Sequence, residues 1–263
     1  ESEVHIVTTS VTTSQNMAKC VNRAGYRPER RILGCLAASR AVLSDDERDL
    51  GCLLLDIGGG TTDLMVFKEG APWYTAAIPA GGMQVTNDIS IMLSVLMDSA
   101  ERLKREASSC WLESVDADEL IVVPGIGGRE PTEIPRRKLC AIVQPRMEEI
   151  FLMAKEKLEK AGWLKEIKAG VVLTGGASLM AGASELAQSV FGMPVHLGSP
   201  PVIGGLESEY RNPGFATAVG LVLLEADARI AADPSRVQQA SRNDKKNASS
   251  LGKVLGWIKD KFI

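Results

Sequence analysis

Two aspartates bracket a glycine turn in Asp56-Ile57-Gly58-Gly59-Gly60-Thr61-Thr62-Asp63. Consecutive glycines let the backbone take positive φ and turn several N–H groups toward one anion. Thr61 and Thr62 add hydroxyl donors. Asp56 and Asp63 would repel a bare phosphate, but they suit a cation that travels with one, held directly or through water. The combination points to a turn that cradles the β- and γ-phosphates of a magnesium-bound nucleotide, with Asp56 reaching Mg²⁺ through water. Taken alone, the same residues also describe a tight turn that binds nothing.

The flanks decide which element carries the turn. Leu53-Leu54-Leu55 before it and Leu64-Met65-Val66-Phe67 after it are apolar runs of strand length. No helical periodicity follows the glycines, whereas dinucleotide and Walker loops open a helix, and the Walker lysine is missing. The stretch reads as a hairpin, and a further strand from Trp73 to Ile78, after the Glu69-Gly70 turn, makes a meander. Gly170 to Leu173 reads as another strand, running into Thr174-Gly175-Gly176. A flat base can approach backbone closely there, because glycine has no side chain. A helix from about Gly182 to Val190 and a short strand at Pro194–Leu197 follow.

Four segments, in order along the chain, carry a resemblance. The Asp56–Asp63 hairpin resembles the second phosphate loop of the actin/hexokinase/heat-shock-chaperone ATPase superfamily. Ile78-Pro79-Ala80-Gly81-Gly82-Met83-Gln84-Val85-Thr86-Asn87-Asp88-Ile89 resembles the segment after that loop in the FtsA family, the bacterial actin-like division proteins. Val172 to Gly182 resembles its adenosine-binding turn, and Arg211 to Leu221 its last core helix. The fold this implies is α/β: an actin-like ATPase half-domain, with a mixed sheet flanked by helices, an inserted smaller subdomain and a C-terminal amphipathic helix. The implied division is 1–50 as the incomplete end of a first actin-like domain, 51–108 with 168–224 as the second core subdomain, 109–167 as a partner-binding insertion, 225–250 as a disordered linker, and 251–263 as a membrane-targeting helix. The matched region starts well inside the family's chain, without its first phosphate loop. The expectation is a truncated chain that binds ATP weakly by itself.

The resemblance also assigns roles. Asp56, Gly58, Gly59, Gly60, Thr61, Thr62 and Asp63 would hold the phosphates of ATP and its hydrated Mg²⁺, and Gly175, Gly176 and Ala177 would back the adenosine. Glu101 and Lys104, one helical turn apart, would meet the ribose and adenine edge; without the family they read as an exposed ion pair worth a few tenths of a kcal/mol. Near the start of the helix expected at 32–43, Gly34 stands where many relatives carry an acid or amide that orients the attacking water. That argues for an ATP-binding scaffold with at most weak hydrolysis, rather than an enzyme.

Composition narrows the rest. A chain of 263 residues has room for one large or two smaller domains. A net charge of −3 and 5% aromatic residues speak against nucleic-acid binding. The five cysteines (Cys20, Cys35, Cys52, Cys110, Cys140) are scattered without a C-x-x-C pair, as expected of reduced thiols. His5 and His196 are isolated, which argues against a zinc site or a histidine triad. Val4 to Thr8 reads as a strand, Ser14 to Ala24 as a helix, and Ser44 to Gly51 as a solvated charged loop. Thr86 reads as the N-cap of a helix reaching about Leu96.

Two further stretches suggest partners. Arg136, Arg137 and Arg146 sit on or before a long apolar-periodic helix; they form either a basic groove for a partner's acidic tail, in the family the C-terminal tail of FtsZ, or an ordinary solvated face. Leu251, Val254, Leu255, Ile258 and Phe262 make one stripe, flanked by Trp257 and bordered by Lys253, Lys259 and Lys261. Its helix would be about 20 Å long, enough to lie in a membrane interface but not to cross it; the alternative is a helix docked on its own domain. The implied function is a filament-forming adaptor that joins the FtsZ ring and other division proteins to the cytoplasmic face of the bacterial inner membrane at the division site. Its rivals are a cytosolic actin-like scaffold of a pilus assembly machine and a superfamily ATPase or kinase.

Overall fold

The computed structural model describes residues 4–204 and 207–232. In chain order the elements are α1 (Val11–Arg23), α2 (Gly34–Val42), α3 (Asp45–Leu50), β1 (Cys52–Ile57), β2 (Thr62–Lys68), β3 (Ala71–Ile78), α4 (Gly82–Leu93), α5 (Met97–Ala107), β4 (Leu120–Val123), β5 (Thr132–Pro135), α6 (Arg136–Ala161), β6 (Gly170–Thr174), α7 (Ala183–Phe191), β7 (Val195–Leu197) and α8 (Ala216–Ala232). The described residues divide into one unit up to Gly220 and a second from Leu221.

Within the first unit the strands make a five-stranded sheet in the order β3-β2-β1-β6-β7. The meander pairs β1, β2 and β3 antiparallel, while β6 joins β1 and β7 joins β6 in parallel. The sheet is mixed, as expected. Alternation along β1 splits its side chains between two cores. Leu53, Leu55 and Ile57 join a cluster with Val85 and Ile89 of α4, Phe151 of α6 and Leu186 of α7. Cys52 and Leu54 face a smaller cluster with Cys35 and Ala38 of α2 and Ala216 of α8. The sheet is therefore covered on both faces, and the hairpin tip between β1 and β2 emerges at its edge beyond the strand ends.

Several boundaries differ from expectation, each for a local reason. Residues 4–8 form no strand: they find no ladder partner among the described residues, Val4 and Ile6 are exposed, and His5 Nε2 meets Thr75 Oγ1 at 3.1 Å. Ser44 to Gly51 is not a loop but carries α3, closed by a capping box in which Ser44 Oγ accepts from the Glu47 N–H and Glu47 Oε2 accepts from the Ser44 N–H at 2.8 Å. Ser44→Ala should lower stability by about 1 kcal/mol, read as a shift of the urea midpoint at unchanged slope. Thr86 does not cap α4, which starts earlier, at Gly82; there Gln84 Oε1 accepts from the Gly81 N–H at 2.9 Å. Residues 225–232, expected at the start of a linker, are helical instead. The alanine- and leucine-rich run keeps α8 helical to Ala232, and Glu225 pairs with Arg229 one turn on at 2.7 Å.

Of the segment 109–167, expected as an insertion, β4 and β5 form their own two-stranded ribbon. Its long helix α6 instead sends Val143, Met147, Ile150, Phe151 and Ala154 into the main core. Residues 233–250 of the linker and the whole amphipathic stretch 251–263 lie outside the described residues.

Candidate functional site

The turn between β1 and β2 is held from behind. Gly58 N–H donates to Thr61 O at 2.9 Å, which closes the hairpin. The first N–H groups of α4 then donate into the turn, Gly82 to Gly58 O at 2.9 Å and Met83 to Gly59 O at 2.7 Å. Helix N-termini leave such donors unpaired, and here the turn's carbonyls satisfy them. The approach is close enough to require glycine: a Cβ on Gly81 would stand 2.5 Å from Gly58 O. With its carbonyls drawn toward α4, the exposed tip keeps the Gly59 and Gly60 N–H groups without an acceptor among the described residues.

A cleft of about 510 Å³ opens beside this tip. Gly58, Gly59 and Gly82 form one wall, Gly176 and Ala177 of the turn after β6 another, and Glu101, Lys104 and Arg105 of α5 a third. Leu179, Met180, Asn212 and Phe215 complete it. Phe215 packs edge-on to Tyr210 with centroids 5.2 Å apart. The turns at 175–177 and 213–215 are joined by the Gly175 N–H donating to Pro213 O at 3.2 Å.

Glu101 and Lys104 are not the exposed ion pair that their spacing alone allowed. Lys104 keeps only 8% of its surface. Its Nζ donates to Glu101 Oε2 at 2.6 Å, to Thr86 Oγ1 at 2.9 Å and to Gly82 O at 3.0 Å. The Thr86 hydroxyl in turn donates to Glu101 Oε2 at 2.5 Å. Desolvation pushes the Glu101 carboxyl up, but the hydrogen bonds from Lys104 and Thr86 and the nearby cations hold it below the usual carboxylate range. Glu101 is thus an anion at the cleft wall, and its Oε1 accepts no hydrogen bond from a described residue.

The paired aspartates are half-buried and lie on the face toward α2. Asp56 lies opposite Asp63 on one side and Thr174 on the other. Asp56 Oδ2 accepts from Thr217 Oγ1 of α8 at 3.2 Å. Gly34 opens α2 here, its Cβ direction facing Thr217 Cγ2 at 3.9 Å. Burial raises the Asp56 carboxyl above its ordinary range, the Thr217 bond opposes that, and Asp63 adds to it; burial raises Asp63 as well. Burial above all, and then the charges of Asp63 and Asp56, push the Cys35 thiol up to about 12.

The structure therefore brings Gly58, Gly59, Glu101, Lys104, Gly176 and Ala177 to one cleft, with Asp56 and Asp63 behind it. Gly175 turns away from the cleft and backs onto Asp56 and Ile57. Thr62 is fully buried and its hydroxyl donates to Ala80 O at 2.8 Å, so it is not the ligand hydroxyl expected of it. Thr61 is exposed at the tip. Gly82, Arg105, Asn212 and Phe215 line the cleft without having been expected there, and Thr86 supports it from behind through Glu101 and Lys104; the visible signal was Ala100-Leu103-Lys104 at helical spacing, which places Lys104 on the buried side of α5.

The expected basic groove is not assembled as expected. Arg136 donates to Ala107 O at 2.6 Å and pairs with Glu119 at 2.7 Å. Arg146 grips Asp88 through Nε at 2.7 Å and Nη2 at 3.1 Å, and also pairs with Glu149. Arg137 is exposed, and its position in the helix, nine residues before Arg146, puts it about half a turn out of phase. Carboxylates of the same chain thus neutralise Arg136 and Arg146, and Arg137 faces elsewhere.

Comparison with known proteins agrees with this architecture. The family model for cell division protein FtsA matches residues 53–220. Cell division protein FtsA of Pseudomonas aeruginosa is 41% identical over 263 residues, covering 100% of this chain and 63% of that protein. The Neisseria meningitidis protein of the same name is 38% identical over 264 residues, again covering 100% of this chain and 63% of its own. The chain thus spans about three-fifths of the length of these curated relatives. Among solved structures, MreB5 of Spiroplasma citri bound to ADP superposes with a TM-score of 0.68 at 18% identity, covering 86% of this chain and 68% of that one. That likeness establishes an actin-like fold.

Proposed function

We propose, for a chain that belongs to the FtsA family of cell division proteins, that it supplies the nucleotide-binding half of an actin-like filament-forming adaptor between the FtsZ ring and the cytoplasmic face of the inner membrane. One observation carries the nucleotide reading: the glycine hairpin tip, the Gly176–Ala177 turn and the Glu101 carboxylate line a single cleft. Its shape suits ATP. The Gly59 and Gly60 N–H groups would take phosphate oxygens, Gly176, Ala177 and Phe215 would back the base, and Glu101 Oε1 would accept from a ribose hydroxyl. Asp56 and Asp63 would hold Mg²⁺ through water. These are carboxylate oxygens, the donors a hard cation prefers, and their mutual repulsion gives them reason to bind one. Gly34 offers no side chain to orient a water, which supports a scaffold that holds ATP and turns it over weakly at most.

The outward contacts follow the family. Self-association into filaments would present many tails at once, and multivalency would make membrane attachment firm where a single helix binds reversibly. Leu251, Val254, Leu255, Trp257, Ile258 and Phe262 would bury in the interface. Their lysine neighbours would each add about 1 kcal/mol at an anionic surface. Arg137, which pairs with no carboxylate among the described residues, would meet the FtsZ tail, with Arg136 and Arg146 available only by exchange of their present carboxylate partners.

Flotation with anionic liposomes tests the adaptor reading. The intact chain should float, and a chain ending at Ser249 should stay at the bottom. If both stay down at high concentration, the tail docks on protein and the cytosolic scaffold replaces the membrane adaptor.

A further inference from the structure

Lys104 is the charged group most deeply placed in the cleft wall, and all its donors are spent. An ammonium has three N–H groups. Here they go to Glu101 Oε2, Thr86 Oγ1 and Gly82 O, at 2.6, 2.9 and 3.0 Å. A ligand entering the cleft meets no free donor on this residue. Two of the three acceptors belong to the first turns of α4, and that helix start is the part that holds the hairpin: Gly82 N–H on Gly58 O, Met83 N–H on Gly59 O.

We propose that Lys104 is a positioning residue, which pins the start of α4 through Gly82 and Thr86 and so fixes the hairpin tip with its N–H groups aimed outward. A carbonyl and a hydroxyl that both receive a buried cation cannot shift without stranding its charge, and stranding a buried charge costs more than the net worth of the bonds themselves. The same anchor holds Glu101 in its rotamer, so the two ends of the cleft are set by one ammonium. Lys104 thus acts on the phosphate end from a place beside the base end.

The ligand readout rests on the nucleotide reading above; the exchange readout rests on geometry alone. Thr86→Val and Lys104→Met are compared with the unaltered chain. Thr86 does not line the cleft, so any effect of its substitution on a ligand travels through the anchor. In ligand-free protein, NMR amide exchange at Gly82 and Met83 should accelerate at least about tenfold in Thr86→Val, which loses the charge-assisted bonds from Lys104 and to Glu101, and more in Lys104→Met. In chemical-shift titrations, which read millimolar affinities, magnesium tripolyphosphate and magnesium ATP should weaken by the same factor. Unchanged exchange at both amides overturns the proposal. So does a Lys104→Met protein that loses ATP and keeps tripolyphosphate, since the lysine would then contact base or ribose. Should Lys104→Met fail to fold, Thr86→Val decides alone. If the unaltered chain binds neither phosphate ligand while exchange accelerates in the variants, the anchor stands and the nucleotide reading falls.

Discussion

Gly175→Ala should be among the most damaging single methyl additions in this chain, lowering stability by roughly 3–5 kcal/mol, with strain and steric overlap contributing about equally. Gly175 sits at φ 84° and ψ 163°, a region that glycine alone populates readily. Its Cβ would also stand 2.4 Å from Asp56 Oδ1 and 2.5 Å from Ile57 O. Neither neighbour can retreat, since Ile57 is in the sheet core and Asp56 is held by Thr217. For a protein of this size the expected fall in melting temperature is about 10 °C. Gly176→Ala is the matched control. A Cβ there meets nothing within 4 Å, so stability should change by less than about 0.5 kcal/mol. Yet Gly176 lines the cleft, and a methyl group would stand where the base is proposed to lie, weakening ATP and adenosine while sparing tripolyphosphate. Equal melting temperatures for the two alanine variants would show that the 175 turn is not locked as described.

The contrast between neighbouring glycines also shows how far the sequence reaches. The hairpin was readable because both its flanks are short apolar runs and the glycines between them open no helix. The turn proposed to back the base was suggested only by resemblance, since Gly175 and Gly176 look alike in the chain and only the sheet tells them apart: one backs onto β1, the other faces the cleft. The charged run at Ser44–Leu50 was misread because its charges suggested a solvated loop, although Ser44 and Glu47 carry the capping-box spacing. Val4 to Thr8 has strand composition, but a strand is a pairing, and pairing is not written in one segment. The arginines failed for a related reason. Asp88 and Glu119, far from them in sequence, come close enough to take their charge. Local pattern gives the type of an element and the face of a helix; it does not give the long-range partner that decides whether a charge is free.

Asp56 carries the cost of a buried carboxylate, and Asp56→Asn should separate stability from the proposed binding with opposite signs. Burial raises the Asp56 carboxyl, Thr217 partly offsets this, and Asp63 directly across the ladder raises it further. A folded-state value above the unfolded one means that the native protein binds more protons than the unfolded chain in that window. The contribution of Asp56 to stability is therefore fully present below the ordinary carboxylate range and is lost as pH rises through the raised folded-state value. Asparagine removes the buried charge and the repulsion, and its oxygen can still accept from Thr217. The variant should be more stable at pH 7 by about 1 kcal/mol, the usual gain when a functional site is relieved of strain. Its urea midpoint should also vary less between pH 4 and 7. The same change deletes the carboxylate proposed to orient water on Mg²⁺, and outer-sphere losses of this kind weaken metal-dependent binding roughly 10–100-fold. Magnesium ATP should weaken by that factor, and ATP without magnesium should not. A destabilised Asp56→Asn protein would mean that the native state favours the charged form, so that the Thr217 bond outweighs desolvation. An unchanged magnesium dependence would move the cation to Asp63 alone.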